Sequence, residues 1–235
     1  MALPKVAIPK FYATLPSTGE RVSFRPFLVK EEKVLLMAAQ SEEETAMIDA
    51  VKDVVIACVS ENIDASKLPY FDIEYLFLNI RAKSVGEIIK MEYRHNGGLN
   101  YKGESCDAVT PVDINLEQVK VEKLEGHTTK IMLDDKMGIE MGYPTIDGIN
   151  EVAKGEDEIR MLATCIKCVY DEDNVYDPDG IEDSVQFIEG LNSQQFMKLT
   201  EFFNTMPKLR HKFTYKCAGC GQEDSVELEG LSDFF

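Results

Sequence analysis

The clearest chemical signal in this sequence is a pair of cysteines in its last twenty residues. Cys217 and Cys220 have the spacing CxxC, and Gly221 follows them, between two stretches that alternate as β-strands do. A CxxCG turn between strands is typical of a zinc knuckle, because two thiolates converge on one ion and glycines let backbone amides approach the sulfur atoms. One knuckle supplies two ligands, whereas a structural zinc ion needs four.

A weak internal repeat suggests where further ligands lie. Residues 91–98 (MEYRHNGG) align with residues 213–220 (FTYKCAGC), and an alternating stretch follows each of them. In this alignment His95 occupies the position of Cys217, and a glycine occupies the position of Cys220. The first segment is therefore predicted to be a hairpin that resembles the second one, with His95 as a candidate ligand in its turn.

Two interpretations of these residues remain open. In the first, one structural zinc ion is bound by the two knuckle cysteines, by the histidine of the first hairpin and by a cysteine in the insertion that follows it: Cys217, Cys220, His95 and Cys106. In the second, the chain has two similar hairpins, the first without ligands and the second with an empty knuckle. The first hairpin departs from the CxxC pattern, so the sequence does not decide between them.

The remaining cysteines are interpreted as structural. Cys165 and Cys168 also have CxxC spacing, but they lie in a predicted helix over residues 150–170. Two residues three apart share a helix face and do not form a knuckle, so we interpret both as helix residues packed near the core. Cys58 lies on the apolar face of another predicted helix and is expected to pack as a small hydrophobe.

No pattern in the sequence indicates catalysis. There is no P-loop and no dinucleotide-binding fingerprint. The three histidines, His95, His127 and His211, lie outside any recognisable acid–base or nucleophile arrangement. We therefore expect that the protein is not an enzyme.

Charge narrows the class of partner. The chain has 25 basic and 42 acidic residues, a net charge of −17. General nucleic-acid binding needs lysine and arginine to neutralise phosphates, so nucleic acid and an anionic membrane surface are both disfavoured. An acidic surface suits basic protein partners, or it serves solubility alone. The sequence has neither a membrane-spanning apolar run nor a signal peptide, so we expect a protein made and used in the cytosol.

Apolar spacing predicts the elements that would position the cysteines, and the predicted class is α+β. Helices from the N- and C-terminal parts are expected to pack together into a helical core, from which two or more β-hairpins project, the last one zinc-knuckle-like. Three regions are predicted within one compact unit: 1–84 as an extended arm plus a helical layer, 85–148 as a β-rich hairpin region, and 149–235 as helices plus the CxxC hairpin.

Both ends of the chain are candidates for partner contacts. Residues 1–14 are predicted to be extended, because Pro4 and Pro9 disfavour a helix there. The last residues form an apolar tail that ends in Phe234 and Phe235. Paired aromatic residues of this kind either bind in a pocket of a partner or fold back onto their own core, and the sequence leaves both open.

One long segment carries a resemblance to a known family. Residues 15–38 (LPSTGERVSFRPFLVKEEKVLLMA) closely resemble the N-terminal signature of the baseplate hub subunit family of T4-like contractile-tailed phages. The similarity continues through residues 137–145 (MGIEMGYPT) to the C-terminal cysteines, and so covers nearly the whole chain.

The resemblance implies that the protein acts by protein–protein binding at the central hub of the tail baseplate. The protein would be either a structural hub subunit of the virion or a hub assembly chaperone that is absent from the mature particle. Its partners would be other hub proteins, tail tube or tape-measure proteins, or further copies of itself, after assembly in the host cytoplasm. A different class, a zinc-ribbon adaptor, depends on the CxxCG turn alone, and the acidity of the chain disfavours it.

Overall fold

The computed structural model describes residues 6–41, 43, 45–60, 63–95, 103, 106–153 and 158–234, and these contain seven α-helices and eleven strands. The helices are α1 (Val29–Ala39), α2 (Ala46–Cys58), α3 (Tyr70–Ser84), α4 (Ile146–Ala153), α5 (Glu158–Thr164), α6 (Ile181–Glu189) and α7 (Ser193–Thr205). The strands are β1 (Phe11–Thr14), β2 (Arg21–Phe24), β3 (Ile88–Arg94), β4 (Val109–Asn115), β5 (Lys120–Glu122), β6 (Lys130–Met132), β7 (Gly138–Met141), β8 (Ile166–Tyr170), β9 (Val175–Tyr176), β10 (Lys208–Lys216) and β11 (Glu223–Glu229).

The strands form small antiparallel sheets, which confirms the α+β class. β1 pairs with β2, and β3 pairs with β4. A third sheet has the order β11-β10-β5, and a fourth has the order β6-β7-β8-β9. No helix within the described residues is long and apolar enough to cross a bilayer.

A first core lies between the N-terminal helices and three of the sheets. α2 contributes the apolar face that its spacing predicts, Val51, Val54 and Val55, and Cys58 is buried beside them as expected. α3 is apolar nearly all round and is buried accordingly. Strands β3, β4, β10 and β11 cover these helices, so the two predicted hairpins pack on this core.

A second core lies between the C-terminal helices and the four-stranded sheet. Leu162, Ile188, Leu199 and Phe202 from α5, α6 and α7 are buried against side chains of β7 and its neighbours. The helices are therefore shared between two cores, and α4 contributes Ile146 to the first of them. Strands β10 and β11, near the C-terminus, contribute Leu209 and Leu228 to the first core.

The predicted helix over residues 150–170 is wrong at its C-terminal end, where residues 166–170 form a strand. Within the described residues α5 ends at Thr164, and β8 follows and pairs antiparallel with β7. Ile166 and Val169 are β-branched and favour a strand, but they also continue the helical spacing of the residues before them. Spacing alone could not separate a helix from a buried strand here.

This correction changes the interpretation of two cysteines. Cys165 lies at the junction of α5 and β8, and Cys168 lies on β8, so neither is a helix residue. Cys165 is buried in the second core, as expected, and burial raises its pKa to about 11. Cys168 is only half-buried. Neither cysteine belongs to the cluster described below.

The C-terminal tail folds back onto the first core. Residues Leu231–Phe234 form a 3₁₀ turn in which Leu231 and Phe234 are buried, whereas Phe235 lies outside the described residues. The buried carboxylate of Glu74 on α3 accepts a hydrogen bond from the Leu231 N–H at 2.8 Å. Of the two alternatives for the tail, the structure favours internal packing for Phe234.

Glu74 predicts a pH dependence of stability. Burial raises the pKa of Glu74 to about 7, although the Leu231 N–H and Lys208 favour its ionised form and Glu229 opposes it. A carboxyl group whose pKa is raised on folding favours the folded state in its protonated form, so its full contribution is present when the pH is below the ordinary carboxyl pKa of about 4.5. This contribution is lost as pH rises to about 7, and it amounts to roughly 3 kcal/mol.

We expect Glu74→Gln to remove this loss, because glutamine still accepts from Leu231 and never ionises. Urea unfolding between pH 4.5 and 8 would show a smaller decline for E74Q than for wild type, with E74Q the more stable above pH 7. Glu223→Gln, at an exposed position on β11, is the control and should follow wild type. Parallel curves for E74Q and wild type would contradict the prediction.

Candidate metal centre

Two hairpins present the four predicted ligands at their tips. His95 directly follows β3, and its N–H donates to the Ala108 carbonyl at 3.0 Å, which extends the pairing of β3 with β4 by one step. Cys106 lies just before β4. Cys217 directly follows β10, as His95 follows β3, so the two hairpins correspond as the internal repeat predicts. Residues 96–98 of that repeat lie outside the described residues.

The knuckle turn has the hydrogen bonds of a tight strand connection. The Cys217 N–H donates to the Gln222 carbonyl at 2.8 Å, and the Gly221 N–H donates to the Cys217 carbonyl at 2.9 Å. Gly221 has a positive φ of 72°, which glycine adopts at little cost. The turn therefore directs both thiols, of Cys217 and Cys220, to the same side.

Side chains along the hairpins hold the two tips against each other. The ring of Tyr93 on β3 contacts the rings of Phe213 and Tyr215 on β10, with centroids 5.4 and 5.6 Å apart. At the tips, the Ala218 N–H donates to Thr110 Oγ1 at 3.0 Å. Neither Tyr93 nor Thr110 was recognised from the sequence, although the aromatic residues at matched positions of the repeat were a usable signal.

All four candidate ligand atoms converge. Cys106 Sγ is 3.6 Å from Cys217 Sγ, and Cys220 Sγ is 3.3 Å from His95 Nδ1. Each of the four atoms lies within 4.8 Å of the other three. Ligands about 2.3 Å from a tetrahedral zinc ion are about 3.8 Å apart, so the cluster has the dimensions of a Cys₃His site. Cys106, Cys217 and His95 are buried, and all six cysteines are free thiols.

The electrostatics of the cluster favour a thiolate. Hydrogen bonds from the backbone N–H groups of Cys220 and Gly219 lower the pKa of Cys217 to about 6, against the effect of burial. The pKa of Cys106 is raised by burial and by the neighbouring thiols, although the Ala108 N–H donates to its sulfur. Because a thiolate rather than a thiol binds metal, this arrangement can hold a metal ion.

Gly219 makes the close approach of the two tips possible. A Cβ atom at this position would be 2.5 Å from the Ala108 Cβ and 3.1 Å from Cys106 Sγ. We expect Gly219→Ala to push the tips apart. Because the ligands of the two hairpins would then be displaced from each other, zinc affinity should fall by about tenfold or more. Competition with a colorimetric chelator measures this affinity. Ala218→Ser, on the exposed neighbour, is the control, and equal affinities would contradict the prediction.

A comparison with protein families gives the biological context. Residues 8–235 match the sequence model of a family described as T4 bacteriophage base plate protein. The chain belongs to this family. The match spans all four residues of the cluster and confirms the resemblance to a T4-like phage baseplate protein. No curated protein and no solved structure gave a significant match.

Membership places this baseplate protein among the structural proteins of the phage tail. A protein of the baseplate belongs to the virion tail and contacts other tail components. The Cys/His cluster, which could bind a metal ion, then lies in a protein whose family is structural.

Proposed function

We propose that this baseplate protein is a structural component of the central hub of the contractile tail, that it acts by protein–protein binding without turnover, and that one zinc ion joins its two hairpins. Its neighbours would be other hub proteins, tail tube or tape-measure proteins, or further copies of itself. The observation that carries the proposal is the convergence of His95, Cys106, Cys217 and Cys220 within a chain of the baseplate family.

The donor set supports a structural rather than a catalytic metal. A catalytic zinc ion has three protein ligands and keeps an open position for water or substrate, whereas a structural zinc ion is closed by four. Three cysteines and one histidine supply four donors here. Three thiolates are also soft ligands, which favour zinc over magnesium or calcium.

The position of the cluster supports a stabilising role. It ties the β3–β4 hairpin to the β10–β11 hairpin at the end away from the helices, beyond the ring contacts of Tyr93. The β3–β4 sheet has only two strands, and an isolated two-stranded hairpin is marginally stable in water. A metal ion that joins both tips would hold this hairpin against its neighbour.

Quantitative mass spectrometry of purified particles tests the hub assignment. We expect this protein in intact particles at a fixed ratio to the tube and hub proteins. Abundance in the infected-cell lysate with absence from particles would overturn the hub assignment and make the protein an assembly chaperone. A gel shift with nucleic acid at low salt tests the zinc-ribbon adaptor, for which a retarded band would be required.

A further inference from the structure

Helix α1 carries apolar side chains on the side that faces away from the protein. Val29, Leu36 and Met37 are 79%, 58% and 63% exposed. They are seven and eight residues apart and therefore lie on one side of the helix, with the exposed Lys33 between them. These four residues form the α1 outer face.

The opposite side of α1 is held firmly by the rest of the fold. Glu31 is buried there, and Leu35 and Ala38 are half-buried. Arg25 Nη2 lies 2.9 Å from Glu31 Oε1 and donates to the Ala57 carbonyl at the end of α2 at 2.8 Å. The outer face is thus presented on a fixed helix. A helix with apolar residues on both sides is typical of one that packs between two partners.

The charge at the centre of the face argues against a second copy of this chain. Lys33 lies midway between Val29 and Met37. A symmetric pairing of two α1 helices, parallel or antiparallel, would bring Lys33 of each copy against the other, and like charges in a contact cost free energy.

The positive charge of Lys33 also indicates which kind of partner surface would bind the α1 outer face. An anionic bilayer surface would be repelled by the acidic chain as a whole. Among the described residues Lys33 forms no ion pair, so its ammonium group is available to a carboxylate. An apolar face with one central cation is complementary to an apolar segment that carries an acidic residue.

We propose that the α1 outer face docks against an apolar, carboxylate-bearing segment of a different baseplate protein. The proposal depends on family membership and not on the hub assignment. α1 has 11 residues and is about 16 Å long, so the contact is smaller than the roughly 800 Å² per partner of a standard interface. It is therefore one part of a larger interface, and cross-linking suits it better than titration.

A benzophenone amino acid at Leu36, irradiated in infected cells, tests the proposal. We expect a cross-link to a different tail protein, in an apolar segment that contains aspartate or glutamate. Lys33→Glu should lower the cross-link yield by about fivefold or more, and a change of that partner carboxylate to lysine should restore it. The control is the same probe at Met197, which is 68% exposed on α7, and which should give a lower yield to this segment.

Three results would overturn the proposal: no cross-link above that of the Met197 probe, a cross-link to a second copy of this chain, or a yield that Lys33→Glu does not change. Because the cross-link forms in the cell, its failure is separate from the absence of the protein from particles. Lys33 is exposed, so K33E should keep the unfolding temperature of wild type.

Discussion

Replacement of Cys217 by serine is expected to abolish zinc binding and to lower the unfolding temperature by about 10 °C or more. The serine hydroxyl does not ionise at neutral pH, so it cannot replace the thiolate that the backbone amides of Gly219 and Cys220 stabilise. Protein purified without chelator should contain about one zinc ion per chain by elemental analysis, and C217S less than about 0.2.

A matched control and a second variant make this result specific. Cys168→Ser removes a thiol of the same CxxC spacing outside the cluster and should keep the zinc content of wild type. His95→Ala should lose the metal as C217S does, because it removes a fourth ligand from the other hairpin. Wild-type protein with less than about 0.2 zinc per chain would refute the metal centre and leave two similar hairpins with an empty knuckle.

Replacement of Glu31 by alanine is expected to destabilise the fold by about 2–3 kcal/mol, because it leaves the largely buried guanidinium of Arg25 without its ion pair. Glu31 also accepts a hydrogen bond from the Leu28 N–H at 2.7 Å, at the start of α1. Urea unfolding at pH 7 measures the loss. Glu32→Ala, one residue along on the exposed side, should change stability by less than about 0.5 kcal/mol.

Glu31 also predicts that the fold loses stability at low pH. Burial alone would disfavour the Glu31 carboxylate, but hydrogen bonds from Arg25, Leu28 and Lys30 outweigh it and lower the pKa to about 2. A lowered carboxyl pKa stabilises the fold above the ordinary value and loses this effect as pH falls towards 2. E31A should therefore be less sensitive to acid between pH 4.5 and 2 than wild type. Equal sensitivity would show that Arg25 does not depend on this partner.

The candidate site was more predictable than the packing around it. A match of two short segments located His95, because a hairpin turn is a local structure whose residues are read directly from the sequence. Gly219 and Thr110, which let the tips meet, act through space and had no such signal. The division into two cores was also hidden. Apolar spacing shows that a face such as that of α7 is buried, but not which other element covers it.

The residues of the metal centre have a consequence for the order in which the protein folds. Cys106 and Cys217 are 111 positions apart, and His95 and Cys220 are 125 apart. During synthesis the first hairpin must wait for residues 208–229 before the ligand cluster at its tip and the hairpin that packs against it are complete. The second core needs only the intervening segment. The second core can therefore form first. The first core, which contains the N-terminal helices, is completed last, when β10 and β11 are added to it. Closing so long a loop costs conformational entropy, which metal binding would offset at the final step.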